Sequence, residues 1–185
     1  MRKSFVFAVL VVIATIMGGC LGYDEPQFSP SISSSSFYVN PVFEGDSLIG
    51  AQDTLSISYD SEDDTYDLDT VFIGDTVLFA SSFYTYNSNL VAVELKWEKD
   101  FLNLWYPLTE SITQALRDTS SVENGKLYFE PGYNRVSFPV YFTPKVRGGL
   151  NLKLTVESDS EFPISTVQLY IPAKERVVAD STVVK

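Results

Sequence analysis

The chain has 185 residues with 13 basic and 24 acidic side chains, a formal charge of −11, one cysteine and no histidine. A surface this acidic repels phosphate backbones, which makes nucleic acid an unfavourable partner. The lack of histidine removes the commonest general base, the histidine-dependent triads and the usual zinc and copper sites, and a lone cysteine cannot form an internal disulfide.

In chain order, Arg2 and Lys3 give a positive start, Phe5 to Ile16 form an apolar stretch broken only by Ala and Thr, and Met17-Gly18-Gly19 lead into Cys20. Phe5 to Met17 spans 13 residues, short of the roughly 20 that a helix needs to cross a bilayer, so residues 1–19 read as a cleaved signal peptide. The segment resembles a bacterial lipoprotein signal. That resemblance implies a mature chain beginning at Cys20, whose thiol carries acyl chains such as palmitate. Each buried methylene contributes about 0.8 kcal/mol, so two or three chains on one cysteine anchor durably. The mature chain carries 11 basic and 24 acidic side chains, a formal −13.

Residues 20–36 read as a lipidated flexible tether, because Gly22, Pro26, Pro30 and the serines from Ser29 to Ser36 offer little apolar surface to bury. As a coil this length reaches roughly 20–24 Å. Asp24 and Glu25 are similar to the surface-export signal of Bacteroidetes lipoproteins, and Leu21 differs from the Asp associated with inner-membrane retention. The resemblance implies attachment to the outer membrane, with surface exposure. The alternative is that the two acids are solvated linker charges.

About 150 residues follow from Phe37, enough for one domain without disulfides. Their dominant period is two. Short alternations run through Leu55-Ile57-Tyr59 and Val77-Phe79, then a longer one through Val91, Val93, Leu95 and Trp97. Leu108, Ile112, Ala115 and Leu116 keep helical spacing over about two turns and predict one short insertion helix covering an open end. Asn124-Gly125 predicts a tight hairpin. Val136, Phe138, Val140 and Phe142 form the next alternating strand, and Pro139 inside it predicts an edge or a bulge. Gly148-Gly149 opens the strand through Leu150, Leu152, Leu154 and Val156, Asp159 to Pro163 forms a turn, and Val167-Leu169-Ile171 closes the series. This spread of half-buried strands predicts an all-β fold, a single antiparallel sandwich over residues 37–173, with residues 174–185 a tail or an extra edge strand.

Phe138 to Pro144, Gly148 to Val156 and Thr166 to Ile171 resemble the last strands of immunoglobulin-like or fibronectin-III-like domains in bacterial envelope proteins, and Gly74-Asp75-Thr76-Val77 resembles an early one. The resemblance covers roughly Thr70 to Pro172 and implies an immunoglobulin-like sandwich with no transferable active site. The paired cysteines of antibody domains are absent, and Trp97 is expected at the core position of a third strand.

Three groups of residues are candidates for chemistry. The acidic run containing Asp60, Glu62, Asp64 and Asp67 offers oxygen ligands for calcium, although no EF-hand loop fits and a solvated acidic loop is the alternative. No other cofactor is expected. Nine of the 13 aspartates precede Ser or Thr. Five of these pairs are similar to the Asp-Ser/Thr-aliphatic acceptor for O-glycosylation in Bacteroidetes, which implies sugars on Ser47, Thr54, Thr70, Thr76 or Ser181. The competing account is that Asp ends a turn and a β-branched residue starts the next strand. Among the aromatics, Trp105 and Tyr106 precede the helix and are the candidates for an exposed platform that stacks on a glycan.

These features predict a non-catalytic, lipid-anchored envelope protein. Its partners are the membrane, through acylated Cys20, and either another envelope protein bound as an adaptor or a glycan. A calcium-binding adhesion module or a carboxylate-dependent hydrolase, which needs two acids about 5 to 9 Å apart, are the remaining alternatives.

Overall fold

The computed structural model describes residues 28–176. The signal segment 1–19, Cys20, Asp24, Glu25, Ser181 and the rest of the tail beyond Arg176 lie outside the described residues.

The first half of the described chain makes short strands. β1 (Ser31–Ser34) and β2 (Phe37–Val39) are two pieces of one path, parted at Ser35 and Ser36. β3 (Val42–Glu44) and β4 (Ser47–Gly50) form a hairpin, turning at Gly45 with φ 59°. After β5 (Asp53–Leu55) a single residue, Ser56, separates it from β6 (Ile57–Asp60), which returns through the acidic turn as β7 (Thr65–Leu68); β8 (Val71–Phe72) is a short stub. The second half follows the alternations: β9 (Val77–Tyr84), β10 (Leu90–Trp97), β11 (Leu102–Trp105), the helix α1 (Glu110–Gln114), β12 (Lys126–Tyr128), β13 (Arg135–Pro144), β14 (Gly148–Ser158) and β15 (Ile164–Lys174).

Two sheets result. The first has the order β11-β13-β9-β2-β5, with β1 also on β9; the second has the order β12-β10-β14-β15-β7-β6, with β8 also on β15. Thus β2-β9-β13-β11 faces β10-β14-β15, which is the A-B-E-D over C-F-G arrangement of an immunoglobulin-like sandwich. Pairing is antiparallel except where β7 and β8 run parallel to β15. Among the described residues the expected all-β, immunoglobulin-like antiparallel sandwich with one short helix is observed.

Aromatic and branched side chains close the core in place of a disulfide. Phe37 stacks on Phe79 with ring centroids 4.7 Å apart, and Phe83 on Phe138 at 5.4 Å. Opposite them Leu95, Leu152, Leu154 and Ile171 are completely buried. Each such side chain contributes roughly 1.5–3 kcal/mol on leaving water.

The structure corrects five local expectations. The alternation Leu55-Ile57-Tyr59 is not one strand: Ser56 divides it between β5 in the first sheet and β6 in the second, and Ile57 and Tyr59 are exposed. Ser31 to Ser34 pair with Ser81 to Tyr84, so the sandwich begins before Phe37, inside the span 20–36 that was expected to be a tether. Backbone pairing to a long neighbour supplies what the serine-rich sequence lacks in apolar surface. The helix spans only Glu110–Gln114, capped by the Thr109 side chain, and links β11 on the edge of the first sheet to β12 on the edge of the second, so it bridges two edges and not an open end. Asn124-Gly125 sits in a four-residue loop closed by Ser121 and Lys126, with Gly125 at φ 73°. Finally, Pro139 lies in β13, which is flanked by β11 and β9. β11 pairs only from Tyr141 onward, and the backbone of Ala80, opposite Pro139, is bonded to Ser35 on its far side. The proline nitrogen therefore faces the unpaired flank of a locally one-sided strand, where no ladder bond is lost.

Candidate binding cleft

The cleft arises where β10 ends and the chain crosses between sheets. After Trp97 the turn Glu98–Phe101 is closed by the amides of Phe101 and Leu102 donating to the Glu98 carbonyl at 3.0 and 2.9 Å, and β11 then pairs with the end of β13. The crossing leaves an open cleft of about 480 Å³ whose lining includes Trp97, Leu102, Leu104, Lys99, Trp105 and Lys145.

Trp105 stands opposite Tyr141 in the β11–β13 register. Their rings stack at 5.1 Å between centroids and 7° between planes, and Trp105 is 43% exposed. Cross-strand stacking on the outer face fixes the indole while leaving it available. Tyr106 behaves differently. It is only 6% exposed, its hydroxyl donates to the Val122 carbonyl, and burial pushes its phenol up to about 12. Consecutive strand residues point to opposite faces, so Trp105 outward carries Tyr106 inward. The expected Trp105–Tyr106 platform is thus corrected to Trp105 on Tyr141.

Trp97 is half-buried, packs against the core and lines the cleft. The Lys99 ammonium lies 5.6 Å from its ring centroid and donates to Asn124 Oδ1 at 3.1 Å. Lys145 Nζ donates to the Lys99 carbonyl at 2.7 Å. Among the described residues the ion pairs are Arg117–Glu130, Lys126–Glu94 and Arg176–Asp75. Neither cleft lysine is therefore held by a carboxylate. Lys99, Lys145 and Tyr141 escaped the sequence reading. A ring on the polar face of β13, in register with another outward ring, was the signal for Tyr141; the lysines gather only through the crossing.

The other candidates do not converge. Asp60 Oδ1 accepts the Glu62 amide at 2.8 Å, Asp64 accepts the Tyr59 hydroxyl at 2.8 Å, and Asp67 accepts the Thr65 hydroxyl at 3.0 Å. Among the described residues no three His, Cys, Asp or Glu side chains form a metal-holding group, so the calcium candidates Asp60, Glu62, Asp64 and Asp67 are not brought together. The hydrogen bond to Asp64 raises the Tyr59 phenol above its ordinary value. Of the acceptor triplets, Ser47 and Thr54 are exposed, Thr70 is half-buried, and the Thr76 hydroxyl is engaged with that of Thr143 at 3.1 Å.

No family model and no curated protein matches this chain. Among solved structures it is similar to the ASH / PapD-like domain of human CEP192 (PapD-like domain 7), at 12% identity over 74% of this chain and 100% of that one, with a TM-score of 0.34.

Proposed function

We propose that the chain is a lipid-anchored, non-catalytic binding module of the cell envelope, held at the outer membrane through Cys20, and that its cleft takes a glycan. The observation that carries this reading is Trp105, 43% exposed, held flat on Tyr141 in the lining of a cleft that also contains Trp97. A fixed indole face offers a sugar ring a flat apolar surface at little entropic cost. Lys99 and Lys145, with no carboxylate holding either, favour an acidic saccharide over a neutral one. Among the described residues Glu123 is the one acid lining the cleft, whereas glycoside hydrolysis ordinarily needs two carboxylates. Affinity electrophoresis tests the reading. Acidic polysaccharide in the gel should retard the wild-type protein and not Trp105→Ala. Equal mobility of the two across acidic and neutral polysaccharides would reject it.

A second reading, an adaptor for another envelope protein, has its own observation. The β3–β4 hairpin pairs with neither sheet and exposes Val42, Phe43, Leu48 and Ile49, the last by 60%. Contiguous apolar exposure of this kind marks interaction surfaces. A photo-crosslinker replacing Phe43 in native envelopes should capture one stoichiometric protein under this reading. Recovery of the uncrosslinked chain alone would remove it.

A further inference from the structure

We infer that the end of the sandwich at which the chain enters lies against the bilayer surface, with a set of exposed apolar side chains in the interfacial layer. The inference rests on the anchor reading of Cys20 given above.

The set is Phe28, Tyr86, Tyr133, Phe162 and Ile164, all exposed. These residues share one end because β9 and β14 finish there while β13 and β15 begin: Tyr84 stands opposite Arg135, and Glu157 opposite Ile164. Phe28 packs edge-on against Tyr86 with ring centroids 5.5 Å apart, and Tyr86 against Tyr84 at 5.7 Å. The turns beneath are latched together. The Asn89 amide and side chain donate to the two carboxylate oxygens of Asp159 at 2.6 and 2.7 Å, the Gly132 amide donates to the Asn89 side-chain oxygen at 3.0 Å, and the Ser165 hydroxyl donates to the Pro30 carbonyl. The apolar residues therefore sit on or beside a cross-braced platform.

Chain length names the occupant. Only seven residues, Leu21 to Gln27, separate Cys20 from Phe28. Those eight steps span about 28 Å when fully extended and about 16 Å as a coil. An acylated Cys20 consequently holds this end within reach of the headgroups, where tyrosine rings favour the membrane–water interface. Asp159 and Glu161 at the same end give anionic lipid no advantage, so a zwitterionic surface suffices.

The test uses the full lipidated protein, purified from membranes and reconstituted into phosphatidylcholine vesicles. Glu161→Cys carries an environment-sensitive fluorophore at the entry end, and Asp46→Cys carries it at the opposite end, in the β3–β4 turn; vesicle flotation reads the anchor separately. The expected result is a blue-shifted label at 161, quenched several-fold more strongly by spin-labelled lipid than the label at 46. Combined replacement of Phe28, Tyr86, Phe162 and Ile164 by serine should return the 161 label to a water-like spectrum while the protein still floats. A protein that floats with both labels equally aqueous overturns the inference and leaves the anchor standing. A protein that fails to float overturns both. Shielding at 161 that requires an envelope extract, and is absent on lipid alone, assigns the surface to a protein and also overturns it.

Discussion

Asp75 shows how a residue pattern that resembles a modification signal is used by the fold. Its buried carboxylate accepts two bonds from Arg176 at 2.8 and 2.9 Å and one from Asn40 at 3.0 Å, tying the end of β15 to the turn before β9. Asp69 likewise accepts the Ser56 amide at 2.9 Å, and Asp53 accepts the Thr54 amide at 2.8 Å. Three of the acceptor-like triplets thus have a structural use for their aspartate, as the turn-then-strand account expects. Tyr106 makes the residue-scale prediction. With its phenol pushed up to about 12 in the folded state, against about 10 when unfolded, its contribution is complete below the unfolded value and is lost as pH rises through the folded one. Thermal melts across the window from about pH 10 to about pH 12 should therefore show wild type losing more Tm than Tyr106→Phe. The variant begins lower at neutral pH, by about 1 kcal/mol, because the Val122 carbonyl loses its donor. Parallel losses in the two proteins would contradict the assignment.

Among the elements, the Ser121–Lys126 hairpin is the most exacting. Gly125 has φ 73°, its carbonyl accepts the Leu95 amide at 2.8 Å, and an added Cβ would overlap the Leu95 carbonyl oxygen and stand 2.9 Å from the Trp97 ring. Gly125→Ala is expected to destabilise by about 3 kcal/mol, combining left-handed backbone strain with overpacking. Asn124→Ala loses one exposed bond to Lys99 and should cost about 1 kcal/mol or less. Urea midpoints check both, and a Gly125→Ala midpoint close to wild type would refute the steric account. While β9 and β15 showed only the short stretches Val77-Phe79 and Val167-Leu169-Ile171, the long strands β10, β13 and β14 were legible because each repeats its alternation often enough to be seen. β1, β3 and β4 were not, for different reasons. β1 is held by the backbone of β9 and by Ser34 near Ser81, with hydroxyls 3.4 Å apart, and its composition matches a linker. β3 and β4 bury neither face, so alternation has nothing to report. Of the candidate cleft, the exposure of Trp105 was legible in the sequence, whereas the burial of Tyr106 follows from the strand's two-residue period.

At the scale of the whole molecule, the two ends of the sandwich carry different surfaces. Pro30, Tyr86 and Asp159 gather where the chain enters. β10 begins at that end and runs to Trp97, so the turn to β11, with Lys99 beside it, lies at the other. An anchored protein would in this arrangement hold its cleft away from the membrane, as binding a ligand from the surroundings requires. The two tryptophans of the chain, Trp97 and Trp105, both line that cleft. Intrinsic tryptophan emission of the folded protein therefore comes from residues that line the proposed site. The decisive measurement is a fluorescence titration of the folded protein with acidic and neutral oligosaccharides. The account predicts a saturable change in emission with acidic oligosaccharides, weakened by Lys99→Ala together with Lys145→Ala. An emission spectrum unchanged across both classes of sugar would contradict it.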